Sequence, residues 1–400
     1  MSMDLSAGGA GHHLDLMPER SITNDMSSAE RIKQGYERFP YPGRDVAALS
    51  QRGGSMPALR WMLGIGRPGS AKPRRVLVAG CGTGVEAFRL RLALPQAEIV
   101  AVDFSPRSIA VAQKWERSRK FWRPIRFLVG DLTAGNLRKE IGGDFDLITC
   151  HGVLSYIPKP ERALAVLATC LAADGALYLG ANGAGHPTVA LRPWLETFGL
   201  AVTGMKEERR LRELLRLWDA LHDDDLGELA TMPASYLASD VCGAWFNNWS
   251  LARWRAAARR AGWEIAGTAV LPAALRLTMD EGRERPLYPA DVGELAERLD
   301  QVRPTGFHRI MLRRAAAMKT SGLAWTGLYT VKVSAGVARF FSATLGVRFE
   351  DTLTTRQAAA LRTLVEKRNT PKAGEYAWVR SDAGRRMLWR WRALGVVAGG

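Results

Sequence analysis

The chain is predicted to be an α/β protein built on a buried, mostly parallel sheet flanked by helices. Three observations predict it. Short apolar runs recur between residues 76 and 179, most of them followed by a helical stretch. The first run closes on a glycine-rich turn, Gly80-Cys81-Gly82-Thr83-Gly84. The next two runs end at aspartates, Asp103 and Asp131. Runs that are apolar on both faces and alternate with helices mark repeated βα units and a sheet covered on both sides.

The elements follow in order. Residues 1–28 are rich in Gly, Ser, His and Met and lack periodicity, so a flexible tail is expected. Residues 29–70 read as a helical lid in two pieces around the break Phe39-Pro40-Tyr41-Pro42-Gly43. The core, 71–185, starts with Val76-Leu77-Val78-Ala79 as its first strand. A helix over about 85–94 stops at Pro95, and Glu98 to Val102 is the second strand. Ser105-Pro106 opens a helix over 106–119, with serine as N-cap and proline at the first helical position. Ile125 to Val129, Phe145 to Thr149 and Ala176 to Leu179 are further strands, and Pro160 to Ala173 is a helix. Residues 186–315 are expected to be a mainly helical cap that selects a substrate, rich in Trp at 194, 218, 245, 249, 254 and 263. Residues 316–400 read as a basic accessory module with a helix at Thr355 to Arg368. No sequence motif lies beyond 315, so this module is expected to stand apart from the site.

Charge and cysteine usage bound the function. The 400 residues carry a net +16, of which residues 301–400 supply +13. That concentration is a solvated basic surface, or it docks a polyanion or acidic partner: nucleic acid, an acidic carrier protein or an anionic membrane. The four cysteines form no CxxC pair and have no metal-ligand spacing, which points to a reducing compartment and no metal. The first twenty residues lack a secretory pattern, and Lys332 and Arg339 interrupt the most apolar stretch, Ser321 to Val347. A cytoplasmic protein of bacterial type, without a transmembrane segment, is expected. His222 with Asp223, Asp224 and Asp225 reads as a helix N-cap before Leu226, not as a metal centre.

The chemistry sits at the strand ends. A glycine turn between strand and helix lets a ligand approach the backbone and meet free N–H groups. Asp103, 19 residues after Gly84, suits the two hydroxyls of a ribose. Asp131 is placed to accept from a purine amine. His151 follows the fourth strand, at the same edge of the sheet.

These four motifs, in this order, resemble the class I S-adenosylmethionine-dependent methyltransferase family, over about residues 71–183. The resemblance implies a Rossmann-like methyltransferase fold and S-adenosyl-L-methionine as cofactor. It implies that Gly80, Cys81, Gly82 and Gly84 wrap the methionine part of the cofactor. Asp103 would hold the ribose, with Phe104 and Ser105 beside the adenine, and Asp131 would meet the adenine amine, with Leu132 packing nearby. His151 would line the methyl-transfer site, as a cofactor contact and a candidate catalytic group with Tyr156. The segment Tyr36-Glu37-Arg38-Phe39-Pro40-Tyr41-Pro42 resembles one that precedes the glycine loop in a bacterial subset of the family, whose chains extend into an extra C-terminal region; Tyr36 and Tyr41 would close over the cofactor. Two positions depart from the pattern. Val78 stands where the family has an acidic residue, with Glu86 as a substitute, and Tyr156 stands where a His is common.

Alternatives remain at this level. Gly82 to Ala87 also fits the dinucleotide pattern G-x-G-x-x-A, although the Gly130-Asp131 pair is not part of that pattern. A non-catalytic, regulatory version of the fold is a second alternative. A nucleic-acid methyltransferase using the basic C-terminal quarter is a third. The expected reaction is methyl transfer to an O, N or C atom of a small-molecule acceptor. Methyl transfer is an in-line displacement governed by alignment, so a general base is optional.

Overall fold

The computed structural model describes residues 28–42, 57–119, 121–197, 205–222, 226–269, 275, 287–288, 290–320, 323–367 and 373–398. The N-terminal stretch expected to be a tail, up to residue 27, and the Asp223 to Asp225 cap lie outside the described residues.

Helices α1 (Ser28–Arg38) and α2 (Pro57–Gly66) precede the sheet. Strand β1 (Arg75–Ala79) is followed by α3 (Val85–Ala93), β2 (Glu98–Asp103), α4 (Pro106–Arg119) and β3 (Arg126–Val129). Then come α5 (Leu137–Ile141), β4 (Phe145–His151), α6 (Pro160–Cys170) and β5 (Leu171–Asn182). The apolar runs of β1, β2 and β4 are buried on both faces, as the pattern predicts. Ser105 caps α4 as expected, its hydroxyl accepting from the Ser108 N–H at 3.1 Å.

Two more strands, β6 (Trp263–Thr268) and β7 (Phe307–Arg314), complete a seven-stranded sheet in the order β3-β2-β1-β4-β5-β7-β6. β7 runs antiparallel between β5 and β6. This corrects the expected cap: residues 186–315 are helical in α7 (Thr188–Thr197), α8 (Met205–His222), Leu251–Arg260 and Val292–Val302, but they also supply the far edge of the core sheet. The sequence hid β7 because His308, Arg309, Arg313 and Arg314 interrupt its apolar residues. Of these, His308 and Arg313 are buried.

After the short strand β8 (Ala324–Trp325), the C-terminal region is an antiparallel meander, β9 (Thr330–Ser334), β10 (Val337–Ser342) and β11 (Val347–Thr352), backed by the helices Thr355–Lys367 and Asp382–Ala393. Phe340 and Phe349 stack at 4.4 Å, and Trp391 packs on Phe340. Trp391 donates to buried Asp351 at 2.7 Å. This region does not stand apart. Leu59, Trp61, Met62 and Ile65 of α2 share one core with Leu328, Trp391 and Val396. A Cβ on Gly64 would lie 2.7 Å from the Thr326 carbonyl, and one on Gly66 2.5 Å from Met311. Small residues let α2 pack tightly between the C-terminal region and the sheet.

Candidate active site

A cleft of about 1030 Å³ opens at the carboxyl ends of β1, β2 and β4. Open α/β sheets bind ligands at this edge. Tyr36, Tyr41, Gly80, Cys81, Gly82, Asp103, Phe104, Asp131, Leu132, His151 and Tyr156 all line it. Gly84 and Ser105 stand behind the wall. A Cβ on Gly84 would press on Phe88 and Ala112, so this glycine seats α3. Ser105 is fully buried and donates to Glu37 at 2.6 Å.

Asp103 is 7% exposed and held by backbone. One carboxylate oxygen accepts from the Gly82 N–H at 2.8 Å, the other from the Ser105 N–H at 2.9 Å. Burial raises its acid pKa, and these amides pull it back. Each oxygen keeps a lone pair for a further donor, which is what a vicinal diol supplies. Tyr36 meets Phe104 edge-on at 5.5 Å, so an aromatic wall stands beside Asp103. At the far rim Asp131 accepts from the N–H and the hydroxyl of Thr133, at 2.7 and 2.8 Å.

His151 is open to the cleft, and its Nδ1 lies 2.8 Å from the Tyr178 hydroxyl. Gly180 makes room: a Cβ there would sit 2.6 Å from that nitrogen. The Arg309 guanidinium of β7 lies close to the same phenol. Burial, then the charges of Arg309 and Arg89, lower the His151 pKa to about 4, so the ring is neutral near pH 7. Glu86 of α3 lies beside the Thr149 hydroxyl and Arg89, and burial raises its pKa to about 7.

Across the cleft, Tyr156 donates to Asp240 in a short hydrogen bond and accepts from Asn182 Nδ2 at 3.2 Å. The Tyr41 hydroxyl also lies beside Asp240. Sequence reasoning missed Asp240, Asn182, Tyr178, Arg89 and Arg309 as site residues. Arg309 and Asp240 lie in elements that it gave to a separate cap. Thr344 and Leu345, at the tip of the β10–β11 hairpin, line the cleft too, so the C-terminal region forms part of its wall.

The donors and acceptors fit an adenosine cofactor with an amino-acid tail: a backbone-held carboxylate for a diol, an aromatic wall, and a glycine cradle where side chains would collide. At Gly82 a Cβ would lie 2.3 Å from the Tyr41 carbonyl.

Comparison with known proteins agrees. The profile of a family described as "Methyltransferase domain" matches residues 77–177. An uncharacterized protein of Synechococcus sp. is 33% identical over 171 residues, covering 41% of this chain and 37% of that protein. The malonyl-[acyl-carrier protein] O-methyltransferase of Halalkalibacterium halodurans is 31% identical over 117 residues, covering 29% of this chain and 42% of its own. The matched regions thus span about two fifths of these relatives. The structure of PKMT2 from Rickettsia typhi in complex with AdoHcy superposes with a TM-score of 0.50 at 16% identity, covering 85% of this chain and 75% of that one, a likeness of fold. Among the described residues no helix is long and apolar enough to cross a membrane. Residues 77–177 of this chain thus match the methyltransferase domain family, on a sheet with a Rossmann-like methyltransferase fold.

Proposed function

We propose that the protein transfers a methyl group from S-adenosylmethionine to a small-molecule acceptor held beneath the cap. The observation that carries this is the convergence of the glycine loop, Asp103, Asp131 and His151 on one cleft of an S-adenosylmethionine-type domain. Asp103 holds the ribose hydroxyls, Phe104 and Leu132 flank the adenine, and Asp131 meets its amine. The glycine loop takes the methionine part. Its charged end needs an anion and a cation, and Glu86 with Arg89 and Arg309 supply both signs. In this reading Glu86 substitutes for the missing acid at Val78.

Bound there, the cofactor supplies an electrophilic methyl group. The residues of this chain orient the acceptor and exclude water. His151 is neutral and linked to Tyr178, so it lines the transfer site as a hydrogen-bonding group and not as a charge. Calorimetric titration with S-adenosylhomocysteine and with NAD tests the reading. S-adenosylhomocysteine is expected to bind and NAD is not; binding of NAD alone would return the glycine loop to the dinucleotide pattern.

A further inference from the structure

Among the described residues, the buried carboxylate on the tyrosine side of the cleft has no counter-cation. Asp240 is 8% exposed. Its contacts are the Tyr156 hydroxyl, the Tyr41 hydroxyl and the Ser239 hydroxyl at 2.7 Å. Among the described residues, no Lys, Arg or His lies within ion-pair distance of it. Burial pushes its pKa up to about 6, so it is an anion at neutral pH. A buried carboxylate is ordinarily paired with a cation or neutralised. Here Asp103 adds a second buried carboxylate, and Tyr36 feels both. Among the described residues, the cations on this stretch of wall are Lys159 and Arg162, at the Asp131 rim, where Arg162 is tied to the Thr133 carbonyl at 2.7 Å.

Tyr36, Tyr41, Tyr156 and Tyr236 stand between Asp240 and the cleft, and all four line it. Tyrosine rings present negative faces to a cation. Phenols that donate to a carboxylate turn electron-rich oxygens toward an incoming N–H donor. Arg89 and Arg309 suit the amino-acid tail of the cofactor, and the tyrosine side, where Tyr36 also borders the nucleoside wall at Phe104, takes the acceptor.

We propose that the methyl acceptor is a primary alkylamine, bound as its ammonium ion among Tyr36, Tyr41, Tyr156 and Tyr236, with Asp240 as the positioning residue behind them. The proposal rests on the methyltransferase reading. In the reaction, R–NH3+ loses one proton to the Asp240 carboxylate through the Tyr156 hydroxyl, and the proton then passes to solvent. The nitrogen lone pair attacks the methyl carbon, a C–N bond forms, and the C–S bond breaks with its electron pair moving to sulfur. The products are R–NH2–CH3+, the neutral thioether and one released proton.

The test is calorimetry on the full chain saturated with S-adenosylhomocysteine, using n-butylamine, n-butanol and n-butyrate at pH 7. The amine is expected to bind at least tenfold more tightly than either other probe. In Asp240→Asn the amine-to-butanol ratio is expected to fall to within threefold of one, with S-adenosylhomocysteine affinity kept within twofold. Tyr156→Phe keeps the ring, removes the link to Asp240, and is expected to lower the ratio in the same direction. A general loss of packing would weaken all three probes alike, so the ratio separates the roles. A second arm uses the peptide acetyl-Gly-Lys-Gly-amide. Tighter binding than butylamine supports a polypeptide side chain as the source of the amine, and weaker binding supports a free small amine. Absence of amine binding, equal binding of the three probes, or a ratio unchanged in both variants overturns the proposal. Failure of S-adenosylhomocysteine itself to bind overturns the methyltransferase reading instead.

Discussion

The backbone N–H of Thr83 donates to the carbonyl of Tyr41 at 2.9 Å. Through this bond the segment after α1 lies directly on the glycine loop. Its other side is tied to the cap, where the Ser235 hydroxyl donates to the Pro42 carbonyl at 3.1 Å. The segment is therefore a strap across the cleft, joined to both walls. Gly82 makes the contact feasible, with φ +50° and no Cβ to meet the Tyr41 carbonyl.

Gly82→Ala is expected to displace this strap. A side chain in the left-handed region costs about 1 kcal/mol or more before the collision with Tyr41 is counted. S-adenosylhomocysteine affinity should fall at least tenfold and the melting temperature by a few degrees. Titration calorimetry and thermal unfolding check both. Unchanged affinity would mean that the strap does not border the bound cofactor.

Asp103→Asn tests the ribose contact with little change of shape. Asp103 accepts from two backbone amides, and an asparagine can accept only through its oxygen, leaving its NH2 facing one N–H. Loss of charge-assisted bonds to a diol adds to this, for a total of about 3 kcal/mol. Affinity for S-adenosylhomocysteine and for adenosine should fall together, by about a hundredfold. Loss confined to S-adenosylhomocysteine would move Asp103 away from the ribose.

Much of this architecture was legible in the sequence, because apolar runs, glycines and terminal aspartates report the backbone directly. Strands β1 to β5 and the α4 cap follow from local pattern. The strap's aromatic residues were legible as a motif. Arg309 was not, since an arginine in a strand reads as solvent-facing until the sheet order sets β7 beside β5. Asp240 was not either: Ser235 to Asp240 has no chemical signature until Tyr156 and Tyr41, far away in sequence, converge on it. Residues brought together by crossovers carry no local mark. The C-terminal region misled for a related reason. Its positive charge is conspicuous in the sequence, whereas the α2 face that it covers shows only in three dimensions.

Arg309→Gln separates the tail of the cofactor from its nucleoside. S-adenosylhomocysteine should bind about tenfold more weakly, and 5′-methylthioadenosine, which lacks the amino-acid group, should be unaffected. The same variant should raise the His151 pKa above its value of about 4, because a nearby positive charge that opposes protonation is gone. Calorimetry with the two ligands and an NMR titration of the imidazole check these separately. Equal weakening of both ligands would remove Arg309 from the tail site.

The shared core predicts one unfolding transition. Trp391 is fully buried in a cluster that continues into Trp61 and Met62 of α2. Trp391→Ala should cost about 3–5 kcal/mol, as large-to-small core substitutions do. The loss should be felt by the whole protein, so the S-adenosylhomocysteine site should melt with it. Two separated transitions in calorimetry, with only the lower one shifted by the substitution, would show that residues 323–398 fold independently.

Asp240 predicts an unusual pH dependence in the ligand-free protein. Its folded pKa, about 6, lies above the ordinary 3.8. Between those values the folded state holds more protons than the unfolded one, so stability falls as pH rises through this window. The burial cost of the ionised group is fully present above pH 6 and absent below about pH 4. A shift of about two units corresponds to about 3 kcal/mol. Glu86 acts in the same direction, with its pKa raised to about 7, while His151, lowered to about 4, acts oppositely. Both remain in the Asp240→Asn variant and cancel in the comparison. The variant should therefore gain stability relative to the natural chain by up to about 3 kcal/mol between pH 4 and pH 7. Urea unfolding of both proteins across that range measures it. Parallel curves would show that Asp240 does not carry an uncompensated buried charge, and the case for a cation site at the tyrosine wall would lose its electrostatic ground.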